Sequence, residues 1–177
     1  MSAPTPRLFF VNRVYWPAGE ATAQLLTDLA EGLAAHGWSV HVVTAGEPDA
    51  VHQGVKIHRT GTPDRHGGLV SRAWNYRRFL RAASRQLVAL TQPGDIVVAM
   101  TDPPMLGPRV AAVLAGRGVR VVQWIQDIYP EVVAAHYGEF VGRILSGVFR
   151  LGFLAFKPAI LAYGATKLYQ AAQGEAE

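Results

Sequence analysis

Two aspartates stand where short apolar runs break off. Val97-Val98-Ala99-Met100 runs into Thr101-Asp102-Pro103-Pro104, and Val121-Val122-Gln123-Trp124-Ile125 runs into Gln126-Asp127-Ile128-Tyr129-Pro130-Glu131. A carboxylate directly after a core strand costs desolvation unless something pairs with it, so Asp127 reads as a candidate for lining a site. An Asx-turn, or a cap for a helix starting near Pro130, is the plainer use of the same residue. Asp102, ahead of two prolines and a helix-length segment, reads either as a substrate or phosphate contact or as the N-cap of that helix.

A third candidate sits near the N-terminus, in Tyr15-Trp16-Pro17-Ala18-Gly19-Glu20, which leads from an apolar run straight into helical spacing. A helix N-terminus offers unpaired N–H groups and the positive end of a dipole, which suits a phosphate, and Gly19 allows close backbone approach. A fourth is basic. No acid occurs between Asp64 and Asp95, yet Arg65, Arg72, Arg77, Arg78, Arg81 and Arg85 all do. Arg77, Arg81 and Arg85 step by four and share a helix face, either simply solvated or set against anionic head groups and phosphates.

Other chemistries lack their residues. There is no cysteine, which excludes thiolate metal sites and a cysteine nucleophile. No G-x-G-x-x-G, P-loop or G-x-S-x-G pattern appears, and the histidines 41, 52, 58, 66 and 136 lack metal-site spacing. No aromatic platform interleaves the arginines, so nucleic acid is not expected.

The elements that must position these groups follow from periodicity. Leu8 to Val11 reads as a first strand, Glu20 to His36 as a helix stopped by Gly37, and Ser39 to Thr44 and Val55 to His58 as further strands. An arginine-bearing helix ends near Gln92-Pro93-Gly94, and residues 95–100 and 119–125 flank a helical stretch from Met105 to Gly116. That alternation implies an α/β fold with a doubly wound, mostly parallel, three-layer Rossmann-like sheet, in which ligands bind beyond the strand carboxyl ends. At 177 residues, half of them hydrophobic, the chain reads as a single domain over 1–177. No secretory signal and no spanning helix are expected.

From His136 to Tyr163 the sequence is almost wholly apolar apart from Glu139, Ser146 and bases seven apart at His136, Arg143, Arg150 and Lys157. Such a helix is either buried between layers or lies in a membrane interface. Ile160 to Tyr163 reads as a last weak strand, and Gly164 to Gln173 as a closing helix.

These pieces resemble a known family. The run VNRVYWPAGEATAQLLTDLAEGLAAHGWSVHVVTA (residues 11–45) resembles the first β-α-β of family-4 glycosyltransferases of the GT-B fold. DIVVAMTDPPMLG and VRVVQWIQDIYPEVVAAHYG (residues 95–107 and 119–138) look like the second diagnostic segment of their N-terminal domain, and PAILAYGATKLYQAAQG (residues 158–174) is loosely similar to its close. The nearest resemblance is to bacterial enzymes that build cell-surface polysaccharides. It implies retaining transfer from a nucleotide-sugar to a lipid-linked or glycan acceptor, without metal or other cofactor, at the cytoplasmic face of the inner membrane. By the same resemblance Gly19, next to Glu20, faces the donor phosphates, although Ala18-Gly19 stands where the family often has paired glycines. Asp127 matches the acidic position of the Q-D-x-x-P-E segment and would serve the catalytic cleft.

The resemblance further implies that the second, nucleotide-sugar-binding domain is absent from these residues. The chain is therefore expected to be the acceptor-side half, inactive alone, with a C-terminal-half partner subunit as one possibility. The alternatives are a non-catalytic membrane-docking or scaffold subunit and an unrelated α/β binding domain.

Overall fold

The computed structural model describes residues 6–62 and 69–125. The readings at Arg65, at Asp127, over His136 to Tyr163 and over the closing strand and helix lie outside the described residues. Within them the chain forms β1 (Leu8–Val11), α1 (Ala21–Ala35), β2 (Val40–Thr44), β3 (Ala50–His52), β4 (Val55–Arg59), α2 (Leu69–Leu90), β5 (Ile96–Ala99), α3 (Leu106–Leu114) and β6 (Arg120–Gln123). The sheet order is β3-β4-β2-β1-β5-β6. Every pairing is parallel except β3 on β4.

The alternation along each strand decides the layers, because neighbouring side chains point to opposite faces. Phe9, Val11, Val97 and Ala99 face α2 and α3, where they pack on Phe79, Ala83, Leu87, Leu106 and Val110. Leu8, Phe10, Val40, Val42 and Ile57 face α1, against Leu26 and Ala30. The chain winds outward from β1 through β2 to β4, then crosses back past β1 to β5 and β6. Right-handed crossovers in opposite directions put their helices on opposite faces. The order therefore reverses between β1 and β5, the switch point at whose carboxyl ends sheets of this kind form their ligand crevice.

Local signals held at α1. Gly37 takes a φ of 87°, its N–H bonds the Ala34 carbonyl at 2.9 Å, and Trp38 N–H reaches Leu33 O, which closes the helix as its glycine suggested. The antiparallel edge strand β3 is an element the sequence reading did not contain. Its hairpin turns on Gln53 and Gly54, both at positive φ (47° and 81°), a two-residue turn in which glutamine replaces the usual Asn or Asp.

Two ionisable groups are built into the sheet. Asp95, just before β5, accepts from Arg7 Nη2 at 2.6 Å, Arg7 Nε at 3.1 Å and the Gln92 amide at 2.7 Å. It ties the entry of β5 to the entry of β1. His41, buried on β2, stacks on Phe9 and hydrogen-bonds His58 of β4, Nδ1 to Nε2, at 2.9 Å.

Burial, followed by the neighbouring His58, Lys56 and Arg7, pushes the His41 pKa down to about 4, against a smaller opposing pull from Asp95. Burial also lowers His58, with Asp49 opposing and Lys56 adding to it. The unfolded chain takes up these protons near pH 6.5, before the folded state does. Stability is therefore expected to be full above about pH 6.5 and to decline toward about pH 4. Urea unfolding at several pH values checks this: His41→Phe should flatten the decline, and an unchanged slope would place the acid sensitivity elsewhere.

Candidate functional site

The loop after β1 (residues 12–20) is the wall of the crevice, and backbone bonds to its neighbours hold its first residues. The N–H of Asn12 reaches Val43 O, and the Asn12 side chain donates to Val14 O two residues on at 2.9 Å, a tight local turn. Arg13 then connects three loops. Its N–H donates to Asp102 O at 2.9 Å, while its carbonyl accepts from Ala45 N–H and the Thr44 hydroxyl. Its guanidinium grips the Asp102 carboxylate through both oxygens, Nε to Oδ1 at 3.2 Å and Nη2 to Oδ2 at 2.9 Å. The same cation lies 5.6 Å from the Tyr76 ring centroid.

Arg59, the last residue of β4, holds the middle of the loop from the other side. It donates to the carbonyls of Ala45 and Trp16, and its own N–H is fixed by the Asp49 carboxylate. Trp16 stacks on His52 at 4.0 Å between centroids. Tyr15 is buried beneath, and burial, with a smaller contribution from Glu31, pushes its pKa up to about 12, so it stays a neutral phenol at any working pH. Among the described residues the Tyr15 hydroxyl and the Asn12 Oδ1 have no partner.

Each candidate now has a place. Gly19 and Glu20 are exposed at the start of α1, with Glu20 at the N-cap and making no side-chain cap bond. A Cβ built on Gly19 would meet nothing within 4 Å, so the protein's own packing does not require glycine there. That leaves the first N–H groups of α1 open to an anion. Asp102 stands at the neighbouring loop, but its cap reading is corrected: the N-cap of α3 is Met105, in the left-handed region at φ 69°. Arg13 claims the carboxylate that the helix does not use. Gly19 and Asp102 thus both follow strands at the switch point, while Asp127 lies outside the described residues.

Arg77, Arg81 and Arg85 are elsewhere. They are exposed on α2. Arg81 and Arg85 line a hollow with Arg78 rather than Arg77, because 78, 81 and 85 keep the straighter stripe at 100° per residue. Arg13 and Arg59, the two residues that shape the crevice, escaped sequence reasoning. Their one signal was position: each sits at the carboxyl end of a strand.

The described crevice offers a helix N-terminus without a side-chain cap bond and a loop held by several hydrogen bonds. Its own charged side chains, Arg13, Asp102 and Arg59, are engaged within the protein. Among the described residues no cluster of His, Asp or Glu could hold a metal ion. No helix among them is long and apolar enough to cross a membrane. The family model described as a glycosyl transferase 4-like domain matches residues 21–169. No curated protein matches the chain.

Proposed function

The chain belongs to the glycosyl transferase 4-like family, as the N-terminal domain of a GT-B glycosyltransferase, and from that premise we propose that it is the acceptor-binding half of a retaining enzyme. The reaction moves a sugar from a nucleotide-sugar to a hydroxyl of a lipid-linked or polysaccharide acceptor. The bond from the anomeric carbon to the diphosphate breaks, one to the acceptor oxygen forms, and the hydroxyl proton passes to the departing diphosphate. The observation that carries the reading is the family match over residues 21–169, joined to an open helix end at the β1 switch point. In this reading Gly19, Glu20 and the first turn of α1 face the donor phosphates, and Asp127 serves the cleft. The arginines of α2 hold the domain against the anionic inner face of the membrane.

Most of the donor's diphosphate charge, in this reading, is stabilised by a second domain of the GT-B pair as it leaves. The 177-residue chain alone is therefore expected to show no turnover with any nucleotide-sugar. Its affinity for nucleoside diphosphates is expected to be weaker than about 1 mM, on the order of 4 kcal/mol. Calorimetry and product release check this together. Micromolar binding of a nucleoside diphosphate would mean that the donor site lies in this domain and would overturn the acceptor-side assignment. One observation favours the alternative of a docking subunit without chemistry: the charged crevice residues Arg13, Arg59 and Asp102 are all spent internally, and only Glu20 of the loop after β1 is left exposed. Transfer regained on supplying a donor-binding half would decide against that alternative.

A further inference from the structure

Arg81, Arg85 and Arg109 line a hollow of about 450 Å³ between α2 and α3, whose other walls include Ser84, Val88 and Val113. It lies on the outer surface of the helical layer, facing away from the sheet. Three guanidinium groups from two helices repel one another unless an anion shares the space. No acid occurs in α3 or between residues 65 and 94, and no carboxylate pairs with these three arginines among the described residues. Arg109 is aimed by a second contact. Its Nε donates to the hydroxyl of Ser84 at 3.2 Å, and that buried hydroxyl itself donates to Leu80 O at 2.6 Å. Ser84 therefore fixes the base of the guanidinium, leaving the terminal nitrogens without a partner among the described residues.

The floor is apolar and partly open: Val88 is 36% exposed. Continuing the same stripe of α2 by four, three and four residues, Trp74, Arg78, Arg81 and Arg85 align, and Trp74 is 58% exposed. A cationic rim over an apolar floor, with an exposed tryptophan two turns up the same helix, matches a molecule with a phosphate at one end and hydrocarbon at the other.

We propose that the α2–α3 hollow is a head-group site for an anionic phospholipid, with Arg81, Arg85 and Arg109 around a phosphate monoester and Val88 and Val113 against the first methylenes. This rests on the membrane reading above and makes it specific. A diffuse basic surface responds to total charge, whereas three guanidiniums lining one hollow favour a monoester, which carries about −1.5 to −2 at neutral pH.

The test uses the whole chain and vesicles of three compositions: neutral phosphatidylcholine, phosphatidylserine, and phosphatidic acid at equal net charge. Binding to phosphatidic acid vesicles is expected to be about tenfold tighter than to phosphatidylserine vesicles. Arg109→Gln should remove that excess and leave the residual, salt-sensitive binding to phosphatidylserine, while Arg77→Gln leaves the excess intact. Unchanged melting temperatures would show that both variants fold. Equal affinity for the two anionic vesicles, or an excess that survives Arg109→Gln, overturns the head-group site and leaves the broader membrane reading standing. No binding to either anionic vesicle removes both. Release from phosphatidic acid vesicles by millimolar inorganic phosphate would assign the site to a free anion and overturn the lipid occupant.

Discussion

Asp102→Ala is expected to lower the unfolding free energy by about 2–4 kcal/mol, and Arg13→Ala by a similar amount. The two side chains are only 13% and 19% exposed and meet through two bonds. That puts the pair between exposed ion pairs, worth under about 1 kcal/mol, and fully buried ones, whose disruption costs about 3–5 kcal/mol. The melting temperature should fall by roughly 5–15 °C for a chain of this size. The double variant should cost less than the sum of the singles by about 1–3 kcal/mol, since both remove the same contact. The functional consequence lies in geometry. Arg13 also holds the loops after β2 and β5 through its backbone, which alanine keeps, so losing its side chain removes one tether of several on the wall that carries Gly19. Under the transferase reading proposed above, a shift of about 1 Å there would cost on the order of 100-fold in kcat/KM once a donor-binding half is supplied. Additive single and double effects would show that the pair is incidental.

Asp95→Ala should be at least as damaging to the fold, at about 3–5 kcal/mol. The carboxylate is 5% exposed and receives the Arg7 guanidinium and the Gln92 amide, so its removal leaves these donors without an acceptor. Burial alone would raise its pKa. The hydrogen bonds from Arg7 and Gln92 and the guanidinium charge outweigh burial and hold the carboxyl below its usual value. A depressed carboxylate contributes stability above its unfolded pKa and loses it as the pH falls through the folded one. The gap between the parent chain and Asp95→Ala should accordingly be constant at neutral pH and close only below about pH 4. The histidine-driven decline between about pH 6.5 and 4 should persist in the variant, which separates the two origins. A gap that closes near pH 6 would mean that Asp95 is not what the variant reports.

What the sequence alone determined were features that depend on neighbours along the chain. The β1-α1-β2 unit, the stop at Gly37, the amphipathic α2 and the strands at residues 95–100 and 119–125 were legible because apolar spacing and turn residues act within a few positions. The carboxyl-edge placement of Gly19 and Asp102 followed, since parallel α/β chains put those loops on one edge. The tertiary structure decided whatever joins distant residues. Arg7 meets Asp95 across 88 positions and Arg13 meets Asp102 across 89, because β1 and β5 become neighbours only after the chain has wound out to β4 and returned. His41 finds His58, and Arg109 joins the α2 arginines, for the same reason. Residue type marks a group as able to pair, but only the order of strands chooses the partner. The cap predicted at Asp102 therefore yielded to an ion pair that no local pattern encodes.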